Sequence, residues 1–147
     1  MFLPETSQPR EILLVDDDAA VARALESILR QAGYAVVCAR HGRAAIDLIT
    51  KRHVALVVSD IFMPDGDGLE LLNFLRRLTP RPPVVAMSGA VDGRIGNMLK
   101  VAGALGAERI LAKPFTPIQL LVLVRELIGY PSVSSAPRAD PSGPAAP

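Results

Sequence analysis

The sequence predicts an α/β fold: a doubly wound, five-stranded parallel sheet with helices on both faces. Three observations predict it. Between residues 10 and 130, short apolar runs alternate with helical stripes five times. The runs are apolar at consecutive positions, as strands covered on both faces are. Each run gives way to polar residues in the same chain direction.

Taken in order, Ile12-Leu13-Leu14-Val15 is the first strand, halted by Asp16-Asp17-Asp18. Val21, Leu25, Ile28, Leu29 and Ala32 trace a helical stripe closed by Gly33. Tyr34 to Ala39 is β-branched and apolar, a second strand. Ala45, Leu48 and Ile49 mark a short second helix, and Ala55 to Ser59 a third strand ending at Asp60. Leu71, Leu72, Leu75 and Leu78 give a third helix face, followed by a strand from Pro83 to Met87. Ile95, Met98, Leu99, Ala102 and Leu105 form a fourth stripe, and Arg109 to Ala112 a fifth strand. Thr116 has the chemistry of an N-cap, with Pro117 at the first helical position. Leu120, Leu123, Val124, Leu127 and Ile128 line the last helix. The connections are expected to be right-handed crossovers.

The 147 residues suit one domain: a lead-in over 1–9, the folded unit over 10–130, and a tail over 131–147. The tail is rich in Pro, Ser and Ala, lacks hydrophobic periodicity, and is expected to be disordered. Half of the residues are hydrophobic and the net charge is only +1, which gives no reason to expect a nucleic-acid-binding face. No run approaches the roughly 20 apolar residues of a membrane span, and no signal peptide is evident, so the default location is the cytoplasm. The one cysteine, Cys38, lies in an apolar run and reads as a small buried hydrophobe. His41 and His53 are isolated and read as solvated.

In open parallel sheets, sites form outside the carboxyl ends of the strands. Asp16-Asp17-Asp18, Asp60, Ser88 and Lys113 occupy those positions. Singly, each reads as turn, cap or surface chemistry. Together they recur at the same end of four strands, which turn chemistry does not predict. Three gathered carboxylates repel one another unless a pKa rises or a counter-charge arrives. Lys113 offsets one charge. A hard divalent cation such as Mg²⁺, which takes oxygen ligands, is the natural complement. An Asp in such a pocket can act as a nucleophile toward phosphorus. Phosphoryl transfer then needs positioning and neutralisation of the phosphoryl oxygens, which the cation, Lys113 and the Ser88 hydroxyl can share.

These residues carry a family resemblance over about residues 10–130. Ile12-Leu13-Leu14-Val15-Asp16-Asp17-Asp18, Ser59-Asp60-Ile61-Phe62-Met63-Pro64-Asp65-Gly66-Asp67-Gly68, Ala86-Met87-Ser88-Gly89-Ala90 and Ala112-Lys113-Pro114-Phe115 resemble the motifs of the receiver domain of two-component response regulators. The resemblance implies the flavodoxin-like sheet order 2-1-3-4-5. It implies Asp60 as phosphoacceptor, Ser88 as switch hydroxyl, Lys113 as phosphate contact, and a cis Lys113–Pro114 bond. It implies that the metal is held by Asp17 directly, by Asp16 mainly through water, by Asp60, and by the Phe62 carbonyl. The ion would be Mg²⁺, with Mn²⁺ as an alternative. The donor would be a histidine kinase or a histidine phosphotransfer protein. The chain then reads as a stand-alone receiver that transfers a phosphoryl group to itself and loses it to water, without being a conventional enzyme.

Two departures from the pattern stand out. Ile110 occupies the position where many members carry an inward-turning aromatic. The spacing from Ser88 to Lys113 is also a few residues longer than usual, with the extra length placed around Val91 to Gly106. Gly96 and Gly103 lie inside the fourth stripe, which suggests a loosely held helix that shifts on phosphorylation. The alternative is close packing that needs small residues. Ile118, Leu121 and Val122 form a second stripe on the last helix, the mark of a partner or dimer surface. The expected downstream partner is a protein; no direct contact with nucleic acid or membrane is expected. Asp65 and Asp67 lack the later ligands of a calcium loop, and the stretch reads as a Gly-rich turn. Two other classes compete. One is a receiver-like interaction module that is never phosphorylated, against which the intact acid set argues. The other is an Asp-nucleophile phosphatase, which needs a second acid where Phe62 stands and a cap that the chain lacks.

Overall fold

A computed structural model describes residues 10–61, 63, 67–89 and 95–131. Five strands form: β1 (Glu11–Val15), β2 (Ala35–Ala39), β3 (Leu56–Asp60), β4 (Val84–Gly89) and β5 (Arg109–Lys113). Helices α1 (Ala19–Gln31), α2 (Gly42–Lys51), α3 (Asp67–Leu75), α4 (Ile95–Ala104) and α5 (Pro117–Ile128) alternate with them. All pairings are parallel and the order is β2-β1-β3-β4-β5. The expected lead-in and the tail beyond Pro131 lie outside the described residues, as do Phe62 and Asp65.

Alternation along each central strand divides the core into two layers. Ile12, Leu14, Leu56, Val58, Val85 and Met87 face Leu25 and Leu29 of α1 and Leu120 and Val124 of α5. Leu13, Val15, Val57, Val84 and Ala86 face Ala45 of α2, Leu71, Leu72 and Leu75 of α3, and Ala102 of α4. Burying each large side chain contributes about 1.5–3 kcal/mol, so the two layers together hold β1, β3 and β4 rigidly. β3, the middle strand, is buried at all five positions.

The helix starts follow from local chemistry. Asp18 caps α1 by accepting from the Ala20 and Val21 amides at 3.0 and 3.2 Å. Thr116 and Gln119 cap α5 reciprocally, with Pro117 opening the helix, where its missing N–H costs nothing. Past the ends of α1 and α5, Gly33 and Gly129 take positive φ angles of 103° and 79°.

Several expectations need correction. Cys38 is exposed, because β2 is an edge strand and its outward position meets solvent. His41 is exposed as expected, yet its Nδ1 accepts from the Ala44 amide at 3.2 Å and caps α2. Asp67 and Gly68, read as part of a turn, open α3 instead. Leu78 lies beyond the end of α3 but still packs on the core. On α5, Ile118 and Val122 are 72% and 44% exposed, whereas Leu121 is half-buried against the α1/α5 layer. The outer stripe is therefore narrower than the sequence suggests. Among the described residues, no helix is long and apolar enough to cross a membrane.

Candidate functional site

Parallel strands deliver their carboxyl ends to one edge, and the register decides which residues meet there. Val15 pairs with Ser59, Asp60 with Met87, and Gly89 with Lys113. Asp16 follows β1, Asp60 ends β3, Ser88 lies one residue before the end of β4, and Lys113 ends β5. Oxygens of Asp16, Asp17 and Asp60 lie within 4.8 Å of one another.

Lys113 stands two strands from Asp60, about 10 Å by strand spacing. Only a long side chain crosses β4 from there. Its Nζ donates to Asp60 Oδ2 at 3.1 Å and to Asp16 Oδ2 at 3.2 Å. The ammonium thus bridges two carboxylates that are almost wholly buried, Asp16 at 0% exposure and Asp60 at 7%. Burial pulls the Lys113 pKa down, but Asp60 and then Asp16 outweigh it, and the net shift is upward. Asp16 is held further by the Asp18 amide, which donates to its Oδ1 at 2.9 Å. The Asp16 backbone N–H donates to the Ala39 carbonyl at 3.2 Å, tying the site to β2.

Four of the residues singled out from the sequence, Asp16, Asp17, Asp60 and Lys113, converge in this way. Ser88 is fully buried beside them on β4, and its hydroxyl donates to the Gly89 carbonyl at 3.3 Å. Phe62 lies outside the described residues. The Lys113–Pro114 bond is cis, as expected. A residue the sequence reading took only as part of a Gly-rich turn is Gly68. A Cβ there would come within 2.6 Å of Ile61 Cα and 2.8 Å of the Asp60 and Ile61 carbonyl oxygens. Its signal was a glycine a few residues beyond a site aspartate, which by itself looks like any turn glycine.

The donor set fits a divalent cation. Three carboxylates meet one ammonium, an excess of two negative charges among these four groups. An ion with oxygens at about 2.1 Å spans ligands up to about 4.2 Å apart. Asp17 is exposed, so the pocket opens to solvent and leaves room for further oxygen ligands.

Fold and site together define a doubly wound α/β domain with an acidic, lysine-bridged pocket at the carboxyl edge of its sheet. The chain matches the model of the response regulator receiver domain over residues 12–125. It belongs to that family, whose role is phosphoacceptor signalling. Solved structures agree. A putative response regulator from Chloroflexus aurantiacus is 32% identical with a TM-score of 0.74, over 82% of this chain and 98% of that one. A CheY-like receiver domain from Methanospirillum hungatei is 29% identical at TM-score 0.72, over 81% and 93%. The chemotaxis response regulator CheY4 of Vibrio cholerae is 26% identical at TM-score 0.71, over 82% and 99%.

Proposed function

We propose that Asp60 accepts a phosphoryl group from a phosphohistidine on a histidine kinase or a histidine phosphotransfer protein, and that this domain, residues 10–130, signals by contact with another protein. The observation that carries the reading is the Lys113 ammonium bridging Asp60 and Asp16 inside the three-carboxylate cluster. That arrangement holds a carboxylate oriented and next to a fixed positive charge, which is what a nucleophilic aspartate needs.

Asp16, Asp17, Asp60 and the Phe62 carbonyl would hold Mg²⁺, or Mn²⁺ in its place. When bound, the ion supplies charge neutralisation for the phosphoryl oxygens. An Asp60 oxygen forms the new bond to phosphorus while the bond to the histidine nitrogen breaks and the imidazole leaves. Lys113 then turns from Asp60 toward a phosphoryl oxygen, and the Ser88 hydroxyl turns from the Gly89 carbonyl to donate to another. Water later hydrolyses the acyl phosphate. The default setting for this chemistry is the cytoplasm.

The output surface lies on the last two helices and β5. Ile118, Val122 and Val101 are exposed apolar side chains there, suited to a downstream protein or a second copy. Ile110, at the usual aromatic position, is half-buried on β5, and a Cβ at Gly103 of α4 would meet only its Cδ1, at 3.8 Å. That is ordinary contact, so packing here does not demand glycine. The glycine instead lowers the intrinsic stability of α4 by about 1 kcal/mol, which favours a helix that shifts on phosphorylation.

The test is incubation with a small phosphodonor such as acetyl phosphate, with and without Mg²⁺, followed by intact mass measurement. Wild type should gain one phosphoryl mass only with the ion, and Asp60→Asn should gain none. Labelling of Asp60→Asn at the wild-type level would reject Asp60 as acceptor. Absence of labelling in wild type under all conditions would favour a pure interaction module.

A further inference from the structure

We propose that the amino-terminal edge of the sheet, opposite the acidic pocket, is a docking surface for an acidic polypeptide segment that carries one or two large apolar side chains. A cavity of about 360 Å³ opens there, where α2 and α3 end. Its apolar lining is Ile49 of α2, Val54 and Ala55 ahead of β3, Leu78 past α3, and three prolines of the 80–83 stretch ahead of β4. The volume is at the small end of the roughly 300–1,000 Å³ of ligand cavities, enough for an anchoring side chain. Proline fixes φ, so this wall is ordered before anything binds and little freedom is lost on docking.

Two kinds of cation surround the cavity. Arg52 and Arg81 belong to its lining and are held by carboxylates. Arg52 Nε meets Glu11 Oε1 at 2.9 Å, while Arg81 pairs with Glu108 and donates through Nη1 to the Gly106 carbonyl at 2.8 Å. Lys51 ends α2, and Arg76 and Arg77 lie between the end of α3 and Leu78. These three are exposed and, among the described residues, make no ion pair. His53, also exposed, completes the lining. On the α2/α3 side of this edge, five permanent cations thus stand against three carboxylates, Glu11, Glu108 and Asp47 one turn before Lys51. Cations at helix carboxyl ends complement the helix dipole, which accounts for the charges but not for an open apolar cavity among them. An apolar anchor pocket inside a rim of one sign is the complement of an oppositely charged partner with a buried anchor. Lys51, Arg76 and Arg77 lie outside the lining, so the charged surface extends past the cavity and suits a chain with several acids rather than a small anion. The five residues of β3, about 17 Å, separate this edge from Asp60. The inference therefore does not rest on the chemistry of that aspartate.

The full chain is titrated with two synthetic peptides, followed by calorimetry and by amide NMR shifts. One is Asp-Glu-Asp-Leu-Phe-Glu-Asp-Glu; the other has Gly-Ser in place of Leu-Phe. The first should bind, move the Val54, Ala55 and Leu78 amide resonances, and leave Asp17 at the opposite edge in place. The second should bind at least roughly tenfold more weakly, the factor that burying one large apolar side chain supplies. Arg76→Glu combined with Arg77→Glu should weaken the first peptide by roughly tenfold as well, with an unchanged circular dichroism spectrum. Failure of the first peptide to bind, equal affinity for the two peptides, or shifts confined to other faces would overturn the proposal. So would a folded double variant that binds the first peptide as wild type does. If mixed-sequence single-stranded DNA or phosphatidylserine vesicles produce these shifts and the peptides do not, the surface belongs to that polyanion and the peptide assignment is wrong. Should the double variant not fold, the comparison of the two peptides on wild type decides alone.

Discussion

Lys113→Met removes the ammonium that bridges Asp16 and Asp60, two of the three site carboxylates. Its Nζ contacts at 3.1 and 3.2 Å are each worth about 5 kcal/mol gross at an effective dielectric of 20. Desolvation returns most of that, and breaking a buried pair by deleting one partner costs about 3–5 kcal/mol net. A quarter of the Lys113 side chain remains exposed, so the lower end applies, about 2–3 kcal/mol. With a typical urea slope of about 1.5–2 kcal/mol per M, the unfolding midpoint should fall by roughly 1–2 M. The methionine keeps the length of the stem, so lost packing adds little. A divalent cation in the pocket would supply the missing charge, so the deficit should shrink on adding Mg²⁺, and the variant should gain more stability from the ion than wild type does. The pH dependence has a definite sign. Burial lowers the Lys113 pKa, Asp60 and Asp16 raise it further, and the folded value ends above the ordinary one. Its contribution is then fully present below the unfolded lysine value of about 10.4 and fades as pH rises through the higher folded value. The comparison is made by urea titration at neutral pH, with EDTA and with Mg²⁺. Equal midpoints for variant and wild type in EDTA, or identical gains from Mg²⁺, would refute the charge argument.

Three further outcomes follow from the same geometry. Leu75→Ala empties a fully buried position under α3 and should cost about 2–5 kcal/mol in denaturant unfolding. Thr116→Ala removes one arm of the α5 capping box and should cost about 1 kcal/mol, with the Gln119 arm surviving. Cys38 is exposed, yet burial of its sulfur and then the hydrogen bond to Glu26 at 3.4 Å push its pKa to about 11. Alkylation by iodoacetamide at neutral pH should therefore run roughly two orders of magnitude slower than for a free thiol of pKa about 8.5, and Glu26→Gln should accelerate it.

Element order and the strand-end acids were legible in the sequence because they depend on local pattern. Ile12 to Val15 are apolar throughout and Leu56 to Val58 are apolar up to Ser59, the pattern of a strand covered on both faces. Thr116-Pro117 announced its helix by capping chemistry. Cys38 was misread because an edge strand and a central strand look alike in sequence; exposure depends on whether another strand pairs beyond it. Leu121 was misread because the width of a buried helix face depends on how α5 leans on α1. Asp67-Gly68 was misread because glycine next to an acid signals a turn unless something presses against it.

Local chemistry in the chain by itself determined that five strand–helix units would form, that their polar ends would share one direction, and that Asp16, Asp17, Asp60, Ser88 and Lys113 were the residues to follow. Periodicity and caps act over a few residues, so a linear reading captures them. Tertiary structure alone decided that Lys113 reaches across β4 to hold Asp16 and Asp60 together, and that α3 starts so near Ile61 that Gly68 has no room for a Cβ. Those facts depend on strand order, register and helix approach, which are set by packing between segments far apart in the chain.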